Sequence, residues 1–168
     1  ATPYRRDGLQ EIISMQCGPI RHEMGKPNGG LLLGLIVRET AFGYLEEDND
    51  HIQELFKKLA QDEMRNGMIV QDVLAAVAQG RRCLILGQRK DHCAALTAAL
   101  SGKGAEPFVL NGLQGKKERT ALLKAVQATP ADKPLIVVAT GQYLGEGFDC
   151  PQMDTLFMAS PSSFKGRL

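Results

Sequence analysis

Short, unbroken apolar runs in the second half of the chain constrain its fold more than any other feature. Cys83-Leu84-Ile85-Leu86, Pro107 to Leu110, Pro134 to Ala139 and Thr155 to Ala159 each have strand length and lack the apolar–polar alternation of a half-exposed strand. Stretches of helical periodicity separate the first three. One runs from Asp91, as cap, through Cys93, Leu96 and Leu100. The other spans Lys116 to Gln127 with Leu122, Leu123 and Val126. Strands that are apolar on both faces, joined by helices, specify a parallel sheet covered on both sides. The expected fold class is therefore α/β, a three-layer sandwich with a mainly parallel sheet and helices on both faces.

Upstream, helices are expected over Asp7–Gln16, over the face Ile52, Leu55, Phe56 and Leu59, and over Ile69–Ala78, which Gly80 ends. Leu31 to Val37, behind Gly29-Gly30, reads as a strand. Asp62-Glu63 beside Arg65 reads as a charge pair at a helix end. Met15, Met64 and Met68 read as packing residues.

The 168 residues are 43% hydrophobic and 23% charged, enough to bury an ordinary core. A net charge of +1 is no footprint of a strongly basic nucleic-acid binder. Local clusters at Arg81, Arg82, Arg89 and Lys90, and at Lys116, Lys117 and Arg119, leave room for a basic patch. Cys17, Cys83, Cys93 and Cys150 form no CxxC, and their spacing to His22, His51 and His92 fits no zinc pattern. No metal site is expected, and the histidines read as surface or helix residues. Free thiols in or beside apolar runs suit a reducing, cytoplasmic compartment. No apolar stretch reaches the length of a membrane span. Both ends read as fragment edges.

In open α/β sheets ligands bind outside the carboxyl ends of the strands. That rule selects the loops Gly87-Gln88-Arg89, Asn111-Gly112 and Thr140-Gly141-Gln142 before any motif is consulted. Thr140 and Gly141 place a hydroxyl and a bare backbone N–H where a phosphate can be met, and Asp149 can accept from a ribose hydroxyl. Gly145 and Gly147 permit close backbone approach.

The segment Val138 to Asp149, with its strand end, Thr140-Gly141 and Gly147-Phe148-Asp149, resembles helicase motif V. Ala1-Thr2-Pro3 resembles the end of motif III, and Leu84 to Arg89 resembles motif IV. Leu110-Asn111-Gly112 with Arg119 resembles the motif that follows, and Leu156 to Pro161 with Lys165-Gly166 the approach to motif VI. In order and spacing the set resembles the second, C-terminal RecA-like domain of a superfamily 2 helicase of the DEAD/DEAH type, related to type III restriction subunits.

The resemblance implies a RecA-like, P-loop-NTPase-type fold. It implies a parent protein that hydrolyses ATP with Mg²⁺ while moving on DNA, with RNA as the other possibility. Residues 1–26 would be the tail of a first RecA-like domain or a hinge. Residues 27–168 would be the second domain, cut before motif VI. Gln88, Arg89, Gly112, Thr140 and Gly141 would contact the nucleic-acid backbone. Glu146, Gly147 and Asp149 would face the nucleotide, and Thr2 would couple the two sites. The first domain, the implied partner, would hold ATP and Mg²⁺.

No G-x-x-x-x-G-K-[ST] loop occurs. Gly112-Leu113-Gln114-Gly115-Lys116-Lys117 has the wrong spacing and no Ser or Thr after the lysine. An Asp-Glu box and the arginine-rich element of motif VI are also missing. The chain alone is therefore expected to hydrolyse no ATP. The competing reading is a non-catalytic RecA-like scaffold that binds a protein partner. A dinucleotide-binding enzyme fails for want of G-x-G-x-x-G after a strand.

Overall fold

The computed structural model describes residues 10–19, 21, 34–43, 52–112, 114–141 and 150–161. The chain divides into two compact units, one of Thr40–Pro161 and one of Ala1–Glu39 with Ser162–Leu168. In the second of these, helix α1 spans Gln10–Cys17, and its Met15 is 83% exposed. The strand expected over Leu31–Val37 is absent from the part described. Residues 34–43 carry no regular structure, and Leu35, Ile36 and Val37 are 77–90% exposed. An apolar run becomes a strand only when a neighbouring backbone supplies the ladder, and residues 34–37 have none among the described residues.

The unit Thr40–Pro161 holds α2 (Ile52–Gln61), α3 (Glu63–Ala78), β1 (Arg82–Gly87), α4 (Lys90–Ser101), β2 (Phe108–Leu110), α5 (Lys116–Ala128), β3 (Leu135–Thr140) and β4 (Thr155–Met158). Asp62 caps α3, its Oδ1 accepting from the Arg65 N–H at 2.9 Å. The expected charge pair at this helix end is thus a cap, and the Arg65 guanidinium is spent elsewhere. Gly80 closes α3 at φ +78°. Its N–H reaches Val77 O at 2.9 Å, and that of Arg81 reaches Ala76 O at 3.0 Å. This paired pattern requires the left-handed residue that glycine supplies.

The four strands lie in the order β2-β3-β1-β4, all parallel. Strand β3 is buried at every position because it is central and covered on both faces, whereas edge strand β4 alternates half-buried and exposed positions. Side-chain alternation assigns the layers. Cys83, Ile85, Ile136 and Val138 face α3 and α4, with Val70, Val73, Cys93, Leu96 and Leu100. Leu84, Leu86, Leu135, Val137 and Ala139 face α5, with Leu122 and Val126. The result is the expected three-layer α/β sandwich, an arrangement consistent with the RecA-like fold.

The two crossovers made by α4 and α5 are built alike. From β1 through α4 to β2 the chain moves one way along the sheet, and from β2 through α5 to β3 it returns on the opposite face. Reversing direction and face together preserves the hand. Among the described residues no helix is long and apolar enough to cross a membrane. Met64, read from sequence as a packing residue, is 79% exposed.

Candidate functional site

Because the strands are parallel, all four carboxyl ends lie on one edge. The described residues that follow adjacent β1 and β3 pack on opposite faces of the sheet, α4 on one and Cys150 and Met153 on the other. Such a reversal opens a crevice outside the carboxyl ends of a doubly wound sheet. The loops bordering it are Gly87-Gln88-Arg89 and Thr140-Gly141, brought level by the pairing of Gly87 with Thr140. Ser160 and Pro161 follow β4 on one side. Asn111 and Gly112 follow β2 on the other, in a turn tied by Gln114, whose Nε2 donates to Val109 O at 2.6 Å. Gln88, Arg89, Gly112, Thr140 and Gly141 therefore share one edge, although 53 positions separate Gln88 from Gly141 in the sequence.

Close packing shapes the crevice. A Cβ on Gly87 would stand 2.7 Å from the Cys93 sulfur, so only glycine lets β1 end this near α4. Burial pushes the Cys93 thiol up to about 11, which makes it a packing group and no nucleophile.

Most of the polar groups on the edge already have partners. The Gly141 N–H, expected to be open to a phosphate, donates to Gly87 O at 3.0 Å. Thr140 is 4% exposed, so little of it meets solvent. The Gln88 N–H donates to Ser160 Oγ at 3.2 Å, and its side-chain amide donates to Pro161 O. Arg89 presents Nε and Nη2 to the Asp91 carboxylate at 2.8–3.2 Å. That contact holds the Arg89 guanidinium above its ordinary pKa and Asp91 below its own. Asp91 was expected to cap α4. The cap position belongs instead to Arg89, and Asp91 sits in the first turn, accepting from the His92 N–H at 2.9 Å.

His92 is buried behind this loop. Its Nε2 meets Asn66 Oδ1 at 2.8 Å, and the Asn66 amide nitrogen donates to Ala60 O at 2.8 Å. With the amide so oriented, the ring proton is assigned to Nε2. Burial, with the nearby Arg65 charge adding to it, pulls the imidazole down to about 4, so it is neutral at physiological pH.

The sequence cluster Arg81, Arg82, Arg89 and Lys90, which left room for a basic patch, does not form one patch. Arg82 lies at the amino end, 7% exposed, donating to Thr129 O, Pro130 O and Gln152 Oε1. Arg89 and Lys90 lie at the carboxyl end. A strand separates them, because consecutive numbering along β1 traverses the whole sheet.

Glu146, Gly147 and Asp149 fall outside the described residues, as do Thr2, Gln142 and Gly145. Among the described residues no cluster of three or more His, Cys, Asp or Glu could hold a metal ion. Sequence reasoning missed Arg65, Asn66, Gln114 and Ser160 as shapers of this edge. Their partners are mostly remote, 94 positions away for Arg65 and Ala159, and no local pattern announces such a contact.

No protein-family profile matches the chain. A curated relative, transcript termination protein A18 of fowlpox virus, is 29% identical over 106 residues, covering 62% of this chain and 22% of the viral protein. The chain thus spans well under half the length of that relative. Among solved structures, the S. cerevisiae Dbp5 C-terminal domain bound to Gle1 and IP6 is similar at 21% identity and a TM-score of 0.41, over 54% of this chain and 50% of that one.

Proposed function

We propose that this chain is the C-terminal RecA-like domain of an ATP-dependent nucleic-acid helicase or translocase, and that the carboxyl edge of its sheet grips the sugar–phosphate backbone. The observation that carries this reading is the convergence of Gln88, Arg89, Thr140 and Gly141 on the reversal point between β1 and β3. The ordered motif series in the sequence supports it, as does the 29% identity to a protein named for transcript termination.

The Arg89–Asp91 contact supports the same chemistry. A guanidinium that offers two parallel donors to a carboxylate offers the fork that fits a phosphate. Asp91 stands where a phosphate oxygen pair would stand. Backbone contacts of this kind add affinity without reading sequence. A first RecA-like domain would hold ATP and Mg²⁺, with Glu146, Gly147 and Asp149 facing the nucleotide and Thr2 coupling the two sites.

The test is fluorescence anisotropy of a labelled single-stranded oligonucleotide with the 168-residue chain. Binding is expected to be weak, indifferent to sequence and strongly weakened between low and physiological salt, and Arg89→Ala reduces it further. Salt-independent binding, or an undiminished Arg89→Ala variant, overturns the assignment of this edge. The chain alone turns over no ATP. In a longer protein carrying it, Asp149→Ala and Arg89→Ala each cut the nucleic-acid-stimulated hydrolysis.

A further inference from the structure

We infer that Arg65 and Asn66, adjacent residues in the first turn of α3, are positioning residues that hold the Gln88–Arg89 loop in place through two separate strings of contacts.

The first string begins at Arg65. Its Nη2 donates to Ala159 O at 2.6 Å, across the gap between α3 and the end of β4. Ala159 in turn donates from its N–H to Leu86 O at 2.8 Å, which extends the β1–β4 pairing past Met158. The next residue, Ser160, receives the Gln88 N–H, and Pro161 O receives the Gln88 side-chain amide. The second string begins at Asn66, whose Oδ1 fixes the His92 ring. The His92 N–H is bound to Asp91 Oδ1, and the Asp91 carboxylate holds Arg89. Both strings start within one helical turn and end on consecutive residues of one loop.

The placement of Arg65 has a cost that helix capping does not explain. Its Nη1 is buried with no partner, and burial pulls its pKa down. A half-buried guanidinium with an orphan donor is retained where another of its contacts matters. Among the described residues, that head group makes its hydrogen bond to Ala159 O. Asn66 is likewise fixed at both ends of its amide, by Ala60 O and by His92. Each acts on the loop through another group.

The experiment measures amide hydrogen exchange on the 168-residue chain, residue by residue, in wild type, Arg65→Met, Arg65→Lys, Asn66→Ala and Asn66→Asp. Arg65→Met is expected to speed exchange of the Gln88 N–H roughly tenfold, the scale of one lost charge-assisted hydrogen bond, while the Val137 N–H in the centre of β3 is unchanged. Arg65→Lys keeps a cationic donor and restores part of the protection. Asn66→Ala frees the Arg89 Nε–H signal from its bound position, and Asn66→Asp, which still accepts from His92 but loses the donor to Ala60 O, restores it in part. Equal acceleration at Gln88 and Val137 would mean general loosening and would overturn the inference, as would unchanged Gln88 exchange in Arg65→Met or failure of both conservative variants to rescue. If Arg65→Met proves too unstable to study, the Asn66 pair decides alone.

These readouts need no ligand, so they stand apart from the nucleic-acid reading on which the loop's importance rests. With oligonucleotide added, Arg65→Met weakens binding severalfold in step with its loop exchange. Normal exchange results with no binding by wild type would retire the nucleic-acid assignment and leave the positioning role intact.

Discussion

Replacing Gly87 by alanine tests how the crevice is built. Gly87 has no positive φ, so the new methyl introduces no backbone strain, and the whole cost is steric. That methyl would stand 2.7 Å from Cys93 Sγ, about 1 Å inside a normal contact. Cys93 cannot simply swing aside. It is 1% exposed, lies in the first turn of α4, and its sulfur packs 3.6 Å from Ala139 O. Either α4 moves away from β1 or the thiol leaves its rotamer, and overpacking of this kind costs about 1–3 kcal/mol. For a unit of this size each kcal/mol lowers Tm by about 3–5 °C. Urea unfolding followed by circular dichroism measures the loss. The decisive control is Cys93→Ala, which removes the obstructing atom at a cost of about 1 kcal/mol for the small void. With the sulfur gone the Gly87 methyl fits, so the double variant should be no less stable than Cys93→Ala alone, within about 0.5 kcal/mol. If Gly87→Ala is neutral, or if the two costs simply add, Gly87 is not held by this contact and the close approach of β1 to α4 does not explain it.

Other outcomes follow from the same coordinates. Asp91→Asn keeps an oxygen for the His92 N–H but loosens Arg89. Because an exposed ion pair competes only weakly, oligonucleotide affinity at low salt should rise by no more than about two- to fivefold, and an unchanged anisotropy titration would remove Asp91 from the picture. Arg82→Met leaves Thr129 O, Pro130 O and Gln152 without their donor at the opposite edge. It should lower unfolding stability by roughly 2–4 kcal/mol, measured in urea. His92 has a folded pKa near 4 against about 6.5 unfolded, so the folded state binds fewer protons between these values. Its contribution is complete above about pH 6.5 and is lost as pH falls toward 4, by at most about 3 kcal/mol, a slope that His92→Gln should flatten.

Much of this fold was legible because local chemistry and tertiary position agreed. The run from Pro134 to Ala139 reads as a doubly covered strand, and β3 over Leu135–Thr140 is one, buried at every residue. Gly80 ends α3 where a glycine should, and the loops that the carboxyl-edge rule selects do lie together on one edge of the sheet. The failures share a cause. Leu31–Val37 has strand-like composition, but composition cannot supply a ladder partner. Arg82 and Arg89 are neighbours in sequence, yet β1 carries one to each end of the sheet. Met64 looks like core filler, but the phase of α3 turns it to solvent. The strand order was not legible at all, since an apolar run states that it is covered and not by what.

The internal pairing of the edge sets the energetics of any ligand there. A phosphate that takes Arg89 must displace a carboxylate holding it through two donors, and one that takes the Gln88 or Gly141 N–H must break a bond of 3.0–3.2 Å. Each contact is then an exchange of one hydrogen bond for another, and net gains stay small, as they do when water is the partner exchanged. A chain of net charge +1 with its edge arginine neutralised has no long-range pull on a polyanion. Firm grip therefore requires a change that opens several of these pairs together. Under the proposed reading, closure of a first domain over nucleotide would be such a change, provided it broke the bond from the Gly141 N–H to Gly87 O. An isolated domain that bound oligonucleotide tightly at physiological salt would show that no such release is needed.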